Sequence, residues 1–168
     1  MAPSDAVVAL RSLERRYRNL FTELDDDDDS PYQLAIRPGA DGWSALQHVV
    51  AATWAIAASS RAVSAMLQHD KPRLDPSDVD PASRPRPSSG TGPVHERLAE
   101  LGLEATQLAD RAEHVAPAEW GREGSLDDGS GRRITALDAL RMAVDAGVTH
   151  LRGAKLTLDE VRGQPPPV

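Results

Sequence analysis

Between residues 5 and 24, Val7, Val8, Leu10, Leu13, Tyr17, Leu20, Phe21 and Leu24 recur at three- and four-residue spacings, with Arg11, Arg15, Arg16 and Arg18 between them. That period predicts a first amphipathic helix of about five turns. It runs into five consecutive carboxylates, Asp25 to Asp29. Negative charge there opposes the helix dipole and repels itself, so the helix is expected to stop. The acid run lacks the glycine and the spaced ligands of a calcium-binding loop, and reads as a solvated connection.

Residues 42–60, GWSALQHVVAATWAIAASS, contain no acid, no lysine and no arginine in an otherwise charged chain, a composition that predicts burial. Ser44 followed by Gln47 reads as a capping box, so a second helix is expected to begin there and to run to about Gln68, before Pro72. On a helical wheel, Leu46, Val50, Thr53, Trp54, Ile56 and Ala57 form a bulky side that reads as ordinary core. His48, Ala52, Ala55, Ser59 and Ala62 form an opposite side of small residues that lets a neighbouring helix or a ligand come close, and it carries one imidazole. The stretch approaches the length of a membrane span, but it is rich in alanine, contains Ser, Gln, His and Thr, and meets Arg61 at once. A buried bundle helix is the better reading, without a membrane.

Residues 70–93 contain six prolines, at 72, 76, 81, 85, 87 and 93, which argue against any regular element. Two readings stand: a crossover between helices running in the same direction, or a cover for a site. A third helix is expected over residues 94–115, with Leu98, Leu101, Ala105, Leu108 and Ala112 on one face. Residues 118–134 are glycine-rich and polar, a loop with room for a short hairpin. A fourth helix starts at Thr135, capped with Asp138, and runs to about Val161. Residues 163–168, glycine followed by three prolines, form a flexible tail. His150 lies beside the fourth helix's core face, near Gly147 and Ala154.

With 168 residues, 40% of them hydrophobic, the chain is expected to form one domain over residues 1–168. A net charge of −7 argues against nucleic-acid binding, which needs a positive surface. Without cysteine there is no disulfide, no thiolate metal site and no cysteine nucleophile. The N-terminal residues lack a signal-peptide pattern, which points to the cytoplasm.

Trp43 and Ser44 with His48 at the start of the second helix, and a last helix reading ITALDALRMAVDAGVTHLRGA around His150, resemble the DinB/YfiT-like superfamily over nearly the whole chain. The resemblance implies an all-α, up-down-down-up four-helix bundle, often a homodimer, with residues 70–93 as the crossover between parallel second and third helices. It also implies a divalent metal, nickel or zinc, on three histidines: one near the start of the second helix, matched by His48, and two, four residues apart, on the last. His150 matches the second of that pair, and Ala146 stands where the first is expected.

In such a bundle the start of helix two and the later part of helix four share one end. His48 lies about 6 Å below its helix start and His150 about 16 Å before its helix end, so the two meet if helix four passes the rim. His95, at the start of helix three, is the third candidate ligand at that end. His69 and His114 read as surface residues, and Trp43 and Trp54 as core anchors. Two functions follow. In one, the resemblance implies a metal-dependent enzyme using a low-molecular-weight thiol, a transferase or isomerase, on His48 and His150. In the other, a non-catalytic bundle binds a small apolar ligand or a partner through the small-residue face.

Overall fold

A computed structural model of the chain describes residues 1–22, 31–88 and 92–162. The acid run and the expected flexible tail at 163–168 lie outside them. The α-helices among the described residues are α1 (Pro3–Thr22), α2 (Pro31–Ile36), α3 (Ala45–Gln68), α4 (Pro76–Val79), α5 (Val94–Glu113) and α6 (Ala136–Arg162). A small sheet has strands β1 (Arg73–Leu74), β2 (Glu123–Leu126) and β3 (Arg133–Thr135) in that order, β1 parallel to β2 and β2 antiparallel to β3.

The four long helices form a square in which α1 and α3 each pack on both α5 and α6. Their directions follow from pairs of contacts. Arg141 of α6 reaches the carbonyl of Met1, and Gly147 lies against Leu13 and Tyr17, so α1 and α6 run parallel. Arg11 bonds Asp110 and Glu113 of α5, while Glu14 lies against Gly102, so α1 and α5 are antiparallel. His48 of α3 meets His150 and Gly153 near the end of α6, so those two are antiparallel. The order is up-down-down-up, as expected.

Local chemistry sets the helix starts. The Ser44 hydroxyl accepts the Gln47 amide proton, and the Gln47 side-chain oxygen accepts that of Ser44. Thr135 and Asp138 form the same reciprocal pair at α6. Tyr17, fully buried, satisfies its hydroxyl by donating to the Gly147 carbonyl at 2.9 Å; the missing side chain at Gly147 lets α1 and α6 approach, because a Cβ there would come within 2.7 Å of Leu13.

Two expectations need correction. The proline-rich segment is not devoid of regular structure: it holds β1, α4 and a 3-10 turn at Pro81–Ser83. Its prolines sit where they are tolerated, Pro76 opening α4 behind the Asp75 cap, whose carboxylate accepts the Ser77 amide proton. The glycine-rich stretch forms the short hairpin for which its sequence left room, and Gly124 admits Leu74 and Met66 closely, sealing the end of the bundle away from the histidines. The bulky side of α3 is only partly core: Leu46 and Ile56 are buried, as are Ala52, Ala55, Ser59 and Ala62 on the small-residue side, while Trp54, expected to anchor the core, is 44% exposed. Small residues let α3 approach α6, and that contact outweighs the bulk of Trp54. After α3, residues 69–88 run back along the bundle to the first turn of that helix, where Gln47 meets Pro87; Arg61 of α3 holds Asp78 of α4 at 2.7 Å on the way.

Among the described residues one helix, Ala45–Gln68, is long and apolar enough to cross a membrane, and 61% of its apolar window is buried in the bundle.

Candidate functional site

Where α3 starts and α6 ends, Nδ1 of His48 lies 3.2 Å from Nδ1 of His150. The two meet because α6 continues beyond the start of α3, its Glu160 carboxylate accepting the amide proton of Ala40. His48 is 8% exposed, and it fits only because position 153 is glycine: a Cβ there would stand 2.4 Å from Cε1 of His48 and 2.8 Å from both ring nitrogens.

Trp43 covers the pair. Its ring is stacked on His48, with centroids 5.0 Å apart and planes at 20°, and tilted against His150 at 6.0 Å. The Arg86 guanidinium stands over Trp43, 4.6 Å from the ring centroid, and donates to the Gly42 carbonyl. The side-chain amide of Gln47 donates to the Pro87 carbonyl at 2.7 Å, tying the crossover to the first turn of α3. Both sequence readings of the proline-rich segment therefore hold together: it is the crossover, and it covers the histidine pair.

Burial is the main cause that lowers the pKa of both imidazoles. For His48, Arg86 acts in the same direction while Asp41 opposes it. For His150, the positive fields of His48 and Arg84 join burial and bring the value to about 4. At neutral pH both rings are neutral, so one carries its proton on Nδ1 and the other presents a bare Nδ1 lone pair. Nε2 of His48 is buried with no hydrogen-bond partner among the described residues, at a cost of about 1–3 kcal/mol.

Neutral, desolvated imidazoles are the protonation state a divalent ion requires. Two ligand nitrogens on a tetrahedral ion, with bonds near 2.05 Å, stand about 3.3 Å apart, close to the observed 3.2 Å. The spacing and neutral charge of the pair thus fit a metal, which both Nδ1 atoms would hold with each ring's proton on Nε2. The pair stands without a third ligand from the chain: among the described residues, no three His, Asp or Glu side chains are grouped for a metal. His95 is exposed on α5 and stays outside. His69 and His114 are exposed, the latter with Nδ1 on the Asp110 carbonyl.

Beside His150 a cavity of about 200 Å³ opens between α3, α6 and the crossover. Trp43, Trp54, Arg84, Arg86 and three prolines of the crossover line it, with His150 on its wall. The arginines and Gly153 escaped the sequence reading. The signals for them were the alternation RPRP at residues 84–87, which puts two cations in an otherwise rigid connection, and a glycine inside a helix three residues after a histidine.

No family model matches the sequence, nor does any curated protein. Among solved structures, YfiT from Bacillus subtilis, described as a probable metal-dependent hydrolase with an unusual four-helix bundle topology, superposes with a TM-score of 0.75 over 97% of this chain and 89% of that one, at 18% identity. The fold is that of YfiT. At this identity the likeness establishes the YfiT fold alone, and the chemistry of the site rests on the residues described above.

Proposed function

We propose that the protein is a divalent-metal-dependent enzyme acting on a small molecule, with His48 and His150 as its metal ligands. The observation that carries this reading is the Nδ1–Nδ1 separation of 3.2 Å between the buried imidazole of His48 and the half-buried one of His150. The description of YfiT as a probable metal-dependent hydrolase supports it from outside the chain. A bound divalent ion supplies Lewis acidity, polarising a carbonyl or lowering the pKa of a coordinated water or thiol.

The chain's own contribution is to hold both rings neutral, to fix His48 between Trp43 and Gly153, and to restrict water with the crossover. Because Ala146 replaces a third imidazole, coordination is completed by solvent or substrate, and affinity for the ion is lower than at a three-ligand site. A low-molecular-weight thiol as cosubstrate, in a transferase or isomerase reaction, is one finer form of the proposal; hydrolysis is the other. Nickel and zinc both suit imidazole donors.

The missing third ligand favours a second reading, a non-catalytic bundle whose cavity binds a small molecule. Elemental analysis of untagged protein purified without chelator, beside His48→Ala, separates the two. Near-stoichiometric nickel or zinc that is lost in the variant is the expected result. Absence of metal after incubation with excess of either ion would overturn the enzyme reading and leave the binding one.

A further inference from the structure

The walls of the cavity carry two guanidinium groups and no carboxylate. Arg84 and Arg86 are two residues apart in a segment where Pro85 and Pro87 restrict the backbone, and alternate residues of an extended chain share a side. Each guanidinium is held by neutral oxygens. Arg84 donates to the carbonyls of Ser77 and Asp78 at 2.6 and 3.0 Å. Arg86 donates to the carbonyl of Gly42 and lies 3.4 Å from the side-chain oxygen of Gln47. Asp78 and Asp80 lie close enough to influence Arg84, but the Asp78 carboxylate is engaged by Arg61 at 2.7 Å. Among the described residues, neither cavity arginine forms an ion pair.

Two cations fixed in a concave, aromatic-walled space are an arrangement that attracts an anion. Their positive field also works against a cation bound alone at the histidines. Trp54, 44% exposed, gives the cavity an apolar wall, and a volume of about 200 Å³ is below that of a drug-sized site. We propose that the cavity binds a small aromatic or alicyclic carboxylate, its charge held by Arg84 and Arg86 and its ring against Trp54. This goes beyond the metal reading and requires no metal.

The test is calorimetric titration of the full chain, in chelator, with benzoate, the neutral benzamide and the cationic benzylamine. Charge-assisted hydrogen bonds predict that benzoate binds about 10- to 100-fold more tightly than benzamide, and that benzylamine does not bind. Arg86→Gln removes most of this preference and Arg86→Lys retains part of it, with circular dichroism confirming the fold of each. Arg84→Gln, which also frees two backbone carbonyls, is the second variant. Equal affinity for benzoate and benzamide overturns the proposal, as does absence of saturation by benzoate or cyclohexanecarboxylate up to about 10 mM. Benzoate binding that appears only with added zinc, is abolished by His48→Ala and ignores Arg86→Gln overturns it while sustaining the metal reading. Metal-independent binding in a protein that takes up no zinc or nickel sustains it while the metal reading fails.

Discussion

At the scale of single residues, the site depends on an atom that is absent. A methyl group at position 153 would overlap the His48 ring at 2.4–2.8 Å, and the ring has little freedom to yield, with Trp43 stacked on it and His150 beside it. Gly153→Ala gains about 1 kcal/mol of helix propensity and loses about 1–3 kcal/mol to overpacking. The melting temperature is therefore expected to change little or to fall modestly. The sensitive readout is the site: the His48 imidazole resonances in NMR should shift, and zinc or nickel uptake should fall by at least as much as in His150→Ala. Unchanged His48 resonances in Gly153→Ala would show that the ring is not confined by α6. The two histidines were legible in the sequence because each sits among small residues on a helix. Gly153 was not, because one helix gives no indication of what its neighbour places against it.

Elements are joined at Gln47, which does two jobs from one position. Its side-chain oxygen completes the capping box of α3, and its nitrogen donates to the Pro87 carbonyl. Ser44→Ala removes only a cap bond and should cost about 1 kcal/mol. Gln47→Ala should cost somewhat more, about 1–2 kcal/mol, and alone should speed hydrogen exchange of non-proline amides over residues 83–88. Equal exchange in the two variants would mean that the crossover is held by something other than Gln47. Helix starts were readable from Ser44, Gln47, Thr135 and Asp138 because capping is local chemistry. The two-residue strand at Arg73–Leu74 was not, because it forms only by pairing with Ser125 and Leu126, about fifty positions away. The exposure of Trp54 was misjudged for the same reason: the small side of α3 was legible as a surface for a close neighbour, but only the packed bundle reveals which helix approaches and which bulky residue it leaves outside.

For the whole molecule, the up-down-down-up order forces a crossover as long as the bundle, and the same order brings the start of α3 and the end of α6 together. The crossover's arginines therefore stand beside a buried and a half-buried imidazole, and the stability of the metal-free protein must respond to acid. His150 has a folded-state pKa of about 4, below the ordinary value near 6.5. Between those values the unfolded chain binds a proton that the folded chain does not, so stability rises with pH across that window and is lost as pH falls through it. Above about pH 7 both states are neutral and the contribution is flat. His48 is lowered too and adds in the same direction, and protonating either ring places charge beside the other as well as near Arg84 or Arg86. In chelator, the unfolding free energy from denaturant titration should fall between pH 7 and pH 4.5 by an amount on the order of 2–3 kcal/mol. His150→Gln, which cannot take the proton, should flatten much of that slope, and a carboxylate bound at the arginines should raise stability throughout. A His150→Gln protein that keeps the full acid slope would place the titrating groups elsewhere and leave the pair without its assigned role in coupling fold to pH.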